Sequence, residues 1–255
     1  MKAFAALIIL ISLTACAQSV PESAGTGPVA GVQTGARADG ASVDWRAADT
    51  YAAAATQADP GSVSALVKGA GTTAEAPWAC ASCHGDRGEG TQDIPRLAGV
   101  PAGYLVKQLH DYRSGARQND NMRYVVSTLS DDQLAALGSY YAGLETPASA
   151  EPIFGADLER GRSLALAGDW AVDVPSCFSC HGPLGWGVGE SFPPIAGQHP
   201  AYTLSQLAAW KDGRRVNSPL GLMHSVAAAL TDQDMRAVSD YLATLPPPQR
   251  DDLAR

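Results

Sequence analysis

Two short segments rich in cysteine and histidine hold the chemistry that this sequence can perform. One reads Cys80-Ala81-Ser82-Cys83-His84, and the other reads Cys177-Phe178-Ser179-Cys180-His181. Thiols at this spacing reach the two vinyl groups of one porphyrin, and the histidine that follows lies under the iron. The pattern is the attachment motif of a c-type haem, so two copies predict two covalently bound haem c groups. The expected thioether residues are Cys80, Cys83, Cys177 and Cys180, and the expected iron-binding imidazoles are His84 and His181.

Two other chemistries compete for the same cysteines. A thiol–disulfide pair would need a thioredoxin-like βαβ context, and the sequence shows none. Half of a zinc site would not require a histidine directly after the second cysteine in both copies. Haem attachment is therefore the preferred interpretation of both segments.

A methionine is the expected second axial ligand of each haem. Met122 lies seven residues before Leu129, and Met223 lies seven residues before Leu230, in matching loop-like stretches. Met235 instead aligns with a core position on the last helix. We therefore predict that Met122 and Met223 bind iron through their thioethers and that Met235 only packs.

The remaining histidines do not repeat between the two halves. His110 and His199 are expected to be surface or locally hydrogen-bonded residues. His224 stands beside Met223 and is the one rival to it as an axial ligand. The carbonyls of Pro95 and Pro193 are candidate acceptors for the second ring N–H of the two motif histidines, with simple loop prolines as the alternative.

The two motifs begin matching stretches of an internal repeat. A Gly-rich stretch follows each motif, and then come Pro95-Arg96-Leu97-Ala98-Gly99 and Pro193-Pro194-Ile195-Ala196-Gly197. The later matches are Tyr104 with Tyr202, Gln108 with Gln206, Tyr112 with Trp210, Arg117 with Arg215, and Asn119 with Asn217. The repeat departs from symmetry at one point, because Met122 lies three residues after its asparagine and Met223 lies six after its own. Two mainly helical domains are expected, at residues 60–147 and 148–248, with a tail at 249–255.

Each half ends in an amphipathic helix with a clear start. Ser130 is expected to cap the first of these helices, with Gln133 completing a capping box. Apolar residues then follow at three- and four-residue steps, which predicts one buried stripe on each helix. The two stripes are Leu134, Leu137 and Tyr141 in the first half and Met235, Val238 and Leu242 in the second.

The N-terminus has the pattern of an export signal and a lipid anchor. Lys2 precedes an apolar run over residues 3–13, which is too short to span a bilayer comfortably. The run ends in Leu13-Thr14-Ala15-Cys16, which resembles the lipobox of bacterial lipoproteins. We expect a signal peptide at 1–15 and lipidation of Cys16, with a chance cysteine after an ordinary secretory signal as the alternative. Ala17 slightly favours the outer membrane by resemblance to Gram-negative lipoproteins.

The segment after this cysteine predicts a flexible tether over residues 16–59. Residues 17–43 contain no Leu, Ile, Phe, Tyr or Trp, so they cannot bury much apolar surface. A short helix is possible over 44–58, before Asp59-Pro60. The net charge of −8 argues against non-specific nucleic-acid binding, and the single apolar run excludes a protein with several membrane spans.

Together these motifs resemble the two-domain, two-haem cytochromes c of the c-four family, over roughly residues 60–246. The resemblance implies an all-α fold of two tandem class I cytochrome c domains. It implies a periplasm-facing electron carrier rather than an enzyme. Such a carrier would take electrons from a quinol-oxidising complex or dehydrogenase and pass them to a terminal oxidase or reductase.

Two other functions remain open from the sequence. A di-haem enzyme, of the peroxidase or sulfur-compound oxidase type, would need one iron with an open or exchangeable position, which two methionine ligands argue against. A haem subunit bound permanently within a dehydrogenase or oxidase complex would share the chemistry of the carrier and differ only in having a stable partner.

Overall fold

The computed structural model describes residues 46–69 and 78–248. The proposed signal at 1–15, Cys16 and the tail at 249–255 lie outside these residues. Helices and isolated bridges account for the regular structure of the described residues, so the all-α prediction is confirmed. None of the helices found there is long and apolar enough to cross a membrane.

The described helices divide into a first and a second set along the chain. The first set is α1 (Ala47–Gln57), α2 (Ser64–Lys68), α3 (Ala81–His84), α4 (Ala102–Ser114), α5 (Asp120–Val126) and α6 (Asp131–Ala142). The second set is α7 (Leu158–Leu166), α8 (Cys177–His181), α9 (Pro200–Lys211), α10 (Leu222–Ala229) and α11 (Asp232–Ala243). Short 3-10 turns lie at Pro60–Val63, Trp170–Val172, Pro183–Gly185 and Pro219–Gly221.

Helix α1 is the short helix expected before Asp59-Pro60, and it packs against α4. The two helices cross closely at Gly103, where a Cβ atom would collide with the carbonyl oxygen of Ala48. Ala48 and Ala55 are buried in this contact region. The last part of the segment assigned to the tether is therefore packed against the first half.

The second half closes by packing its first helix against its last. A Cβ at Gly161 on α7 would collide with the carbonyl oxygen of Ala237 on α11, so glycine permits the close crossing. In the first half, the 3-10 turn Pro60–Val63 packs against α6 instead. The two halves thus keep a common plan and differ in the element that covers the last helix.

The last helix of each half has the predicted start and the predicted buried stripe. Ser130 and Gln133 form the expected capping box on α6, and Thr231 and Asp234 form one on α11. A cap of this kind stabilises a helix by about 1 kcal/mol. All six stripe residues are buried, and they are Leu134, Leu137, Tyr141, Met235, Val238 and Leu242.

Candidate haem sites

Each Cys-x-x-Cys-His motif folds into a short helix, α3 or α8. One helical turn separates the two cysteines of a motif and so brings both thiols to one side. Cys80 and Cys177 are partly buried, whereas Cys83 and Cys180 are exposed, and none of the four is in a disulfide. Burial raises the pKa of the Cys177 thiol to about 11. Both thiols of each pair are therefore present for thioether formation.

The two motif histidines are buried and held by the same contact. His84 Nδ1 donates to the carbonyl oxygen of Pro95 at 3.0 Å, and His181 Nδ1 donates to that of Pro193 at 2.7 Å. The predicted role of these prolines is thereby confirmed. Burial lowers the pKa of both imidazoles, which favours the neutral ring. With the proton on Nδ1, Nε2 keeps the lone pair that a metal ligand needs.

Each predicted methionine is partly buried and packs against the same apolar cluster as the first cysteine of its half's motif. Met122 and Cys80 pack against one apolar cluster, and Met223 and Cys177 pack against another. Both methionines lie near the start of short helices, α5 and α10, rather than in the open loops that the sequence indicated. Met235 is only 3% exposed within α11, as expected of a packing residue.

The other histidines have protein partners in the described residues. His224 is exposed, and its Nδ1 donates to the carbonyl oxygen of Trp210 at 2.7 Å. His110 stacks on Tyr51 with ring centroids 4.5 Å apart. His199 is buried rather than on the surface, and its Nε2 lies 3.0 Å from the carbonyl oxygen of Glu89.

The residues present in each half fit a haem c group. Each half offers two thiols, a buried imidazole whose Nδ1 is hydrogen-bonded, and a thioether that packs against the same apolar cluster as the first thiol. One buried polar atom per half also lacks a hydrogen-bond partner of normal geometry among the described residues, namely the Tyr141 hydroxyl and the Trp210 indole nitrogen. Such buried polar atoms are rare in a complete protein and are expected where a non-protein group finishes the site.

A symmetric polar network joins the two halves. Arg117 donates to Gln108 of its own half at 3.0 Å, and to Tyr202 and Gln206 of the other half at 2.8 and 2.7 Å. The reciprocal hydrogen bonds run from Arg215 to Gln206 at 2.8 Å and to Tyr104 and Gln108 at 3.1 Å each. These residues are matched in the sequence repeat, and the sequence predicted no role for them. The signal that could have indicated an interface was a set of polar residues that recur at equal spacing in both halves and are not needed as ligands.

Further contacts across the boundary hold the halves in one arrangement. Gln198 accepts from the backbone N–H of Arg96 at 2.9 Å and donates to its carbonyl oxygen at 3.1 Å. Glu190 accepts from the backbone N–H of Gly103, at the start of α4, at 2.7 Å. A carboxylate at a helix N-terminus is favourable because it complements the helix dipole.

Two helical domains, each with a Cys-x-x-Cys-His helix, a buried proline-bound histidine and a core methionine, define a tandem c-type cytochrome. The chain belongs to the cytochrome c family, whose model matches residues 67–144 and 159–246. It is 45% identical over 170 residues to the thiosulfate dehydrogenase electron acceptor of Thiomonas intermedia, covering 66% of this chain and 78% of that protein. It is 39% identical over 177 residues to cytochrome c4 of Thiocapsa roseopersicina, covering 68% of this chain and 90% of the relative.

Solved structures agree with this assignment. A thiosulfate dehydrogenase of Marichromatium purpuratum in its "as isolated" form matches with a TM-score of 0.70 and 38% identity over 75% of this chain. The match spans only 43% of that longer chain. Reduced cytochrome c4 of Pseudomonas stutzeri matches with a TM-score of 0.64 and 30% identity, covering 74% of this chain and 99% of the other. The protein is thus a di-haem electron-transfer cytochrome with two covalently bound haem c groups.

Proposed function

We propose a specific ligand set for the two haem groups of this electron carrier. Cys80 and Cys83 would hold the first group, in residues 60–147, and His84 and Met122 would bind its iron. Cys177 and Cys180 would hold the second, in residues 148–248, and His181 and Met223 would bind its iron. The single observation that carries the proposal is the paired bond from each buried imidazole to Pro95 or Pro193, which leaves Nε2 as a ligand.

The chain's own residues then prepare each site for one-electron exchange, which is the chemistry that bound haem iron supplies. The proline carbonyls hold the Nδ1 proton, so neither imidazole has to gain or lose a proton when an electron moves. With a thioether and an imidazole as its ligands, each iron would have a higher reduction potential than with harder ligands. His84 and His181 are both buried, which limits the access of water to the two imidazole rings.

Haem counting tests the attachment residues directly. The double variant Cys177→Ala, Cys180→Ala should retain one haem per chain in a pyridine haemochrome assay, and the double variant Cys80→Ala, Cys83→Ala should also retain one. Ser179→Ala is the matched control, because it changes a residue between Cys177 and Cys180 that the motif leaves free, and it should leave two haem groups per chain. An unchanged count in either double variant would refute the assignment.

We further propose that a thiosulfate dehydrogenase is the electron donor and that a terminal oxidase or reductase is the acceptor. Support comes from the electron acceptors of thiosulfate dehydrogenase in Thiomonas intermedia and Stutzerimonas stutzeri, at 45% and 43% identity. Stopped-flow mixing of oxidised protein with thiosulfate and a purified thiosulfate dehydrogenase should reduce both haem groups rapidly. Thiosulfate alone should not. Reduction only by a quinol-oxidising complex would contradict this donor.

A permanent haem subunit is the second candidate, and one observation favours it. The Marichromatium purpuratum thiosulfate dehydrogenase contains the similar region within a longer chain. Affinity purification from native membranes at high salt separates the two arrangements. A carrier should elute alone, whereas a permanent subunit should elute with a stoichiometric partner of fixed identity.

The proposed location is the periplasm, on a membrane through lipidated Cys16, with the outer membrane slightly favoured. The motif at residues 13–16 supports this proposal. Cys16→Ser should block lipidation and change processing of the precursor. A chain that starts at Asp44 behind a generic secretory signal should be recovered in the soluble fraction with an unaltered visible spectrum. Retention of that shortened chain on salt-washed membranes would favour a permanent membrane-bound partner instead.

A further inference from the structure

The two halves support their axial methionines in different ways. In the first half, the side-chain oxygen of Asn119 accepts from the backbone N–H of Met122 at 3.0 Å and caps α5. Its repeat match, Asn217, does not reach Met223, because three extra residues separate them. The hydroxyl of Ser218 accepts from the backbone N–H of Met223 instead, at 3.1 Å. Because of the three extra residues, Asn217 does not cap the helix that contains Met223.

The side chain of Asn217 instead forms hydrogen bonds with residues of the first domain. Only 4% of the residue is exposed, and its Nδ2 donates to Asp111 at 2.6 Å and to Gln108 at 2.9 Å. Its backbone carbonyl accepts from the Lys107 ammonium at 3.2 Å. Its Oδ1 accepts from Arg215 Nε at 3.0 Å. The amide is thus bound on both sides, and three of these four contacts lie on α4 of the other half.

The supporting pair on α4 exists in one half only. Lys107 and Asp111 form an ion pair at 2.5 Å, with 9% and 16% of their side chains exposed. The matching positions on α9 are Ser205 and Ala209, which cannot form such a pair. The domain fold therefore does not require this ion pair. Instead, both members of the ion pair bond to Asn217. Asn217 is followed by Ser218, which accepts from the backbone N–H of Met223.

We propose that α4 of the first domain positions Met223 of the second, through Lys107, Asp111 and Asn217. The inference rests on the proposed function, since it takes Met223 as an axial ligand. Met122 is supported within its own domain, whereas Met223 is supported from the neighbouring domain. Docking of the two domains then controls the ligation of the second haem and leaves that of the first unaffected.

Ligand displacement in the full-length, haem-loaded protein tests this asymmetry. Imidazole is titrated into the oxidised protein while the near-infrared band of the iron–thioether bond is followed. Met122→Ala and Met223→Ala assign the two halves of the band. In the Asp111→Ala variant, the half of the band that belongs to Met223 should disappear at an imidazole concentration about tenfold lower than in the parent protein. The reason is that a buried hydrogen bond to a charged group has been removed. The Met122 half should not move.

Matched variants separate positioning from general destabilisation. Lys107→Met keeps the packing methylenes and should shift the Met223 half in the same direction. Asp111→Asn keeps an acceptor for Asn217 and should restore part of the loss. Asn119→Ala should give the converse result, with only the Met122 half shifted. Asp131→Asn removes an exposed acid of the first domain and should change neither half.

Each result decides between the two proposals. If Met223→Ala keeps the whole near-infrared band, the ligand assignment is wrong and this inference falls with it. If Met223→Ala removes half of the band but Asp111→Ala and Lys107→Met leave the titration unchanged, only the inference is overturned. Equal shifts in both halves would also overturn it. Should Asp111→Ala fail to fold, Lys107→Met and Asp111→Asn give the answer.

Discussion

The backbones of Arg117 and Arg215 pair with each other in an antiparallel bridge across the domain boundary. Both residues are buried, with 5% and 4% exposed. Each guanidinium lies over an aromatic ring of its own half, at 4.7 Å from the Tyr112 centroid and 4.0 Å from that of Trp210. The repeat in the sequence thereby becomes an approximate twofold relationship in the structure, centred on two arginines.

Arg215→Met should destabilise the protein by about 1–3 kcal/mol, because buried acceptors lose their donor. The affected acceptors include Gln206 and the Tyr104 hydroxyl. Arg214→Met is the matched control, because the neighbouring Arg214 pairs with Asp212 at the exposed surface and should contribute little. Denaturant unfolding of the haem-loaded protein measures both. Equal effects of the two substitutions would contradict a structural role for the buried network.

Met122→Ala and Met223→Ala should each remove half of the near-infrared band of the oxidised protein, because each deletes one thioether ligand. Met235→Ala should keep the whole band, since this residue of α11 is buried in the apolar core of the second half. Loss of a buried methionine side chain should instead lower stability by about 2–5 kcal/mol. His224→Ala should leave the spectrum unchanged. A band that depends on His224 would refute Met223 as the ligand.

Asp240→Ala should destabilise the second domain by at least about 2 kcal/mol, because it removes a charged acceptor from several buried bonds. Asp240 is fully buried and accepts from the backbone N–H groups of Ile153, Phe154 and Ala156. These hydrogen bonds hold the first residues of the second half against α11. Ser139→Ala, at the matching position of α6, is the control and should cost less. Thermal unfolding followed by circular dichroism provides the measurement.

Acid stability should depend on Asp234. Burial alone would raise the pKa of this carboxyl, but hydrogen bonds from Arg160 and Thr231 outweigh it and hold the pKa below its usual value. The unfolded chain then binds this proton more readily, so the stabilisation is complete above about pH 4 and is lost as the pH falls through the lower, folded value. Asp234→Asn should flatten the loss of stability below about pH 4 in denaturant titrations at stepped pH. The same acid dependence in variant and parent would contradict this assignment.

Local patterns in the sequence determined most of the haem chemistry and the helices around it. The spacing of Cys80, Cys83 and His84 is a property of one helical turn, and the Ser130 capping box spans one turn as well. The stripes on α6 and α11 follow from helical periodicity. The alignment of the two repeats places Met235 on one of these stripes and so separates it from the axial candidates. These features depend on residues three to four apart, and such contacts can be read along the chain.

The tertiary structure alone decided how the two halves meet. Asn119 and Asn217 are matched in the repeat, yet one caps its own helix and the other bonds to Asp111, 106 residues away. No local periodicity encodes a contact at that separation. The three extra residues before Met223 change which polar group reaches it, and the outcome depends on the docked position of α4. The sequence by itself therefore predicted two haem c groups, whereas only the folded chain shows that α4 contacts the segment before Met223.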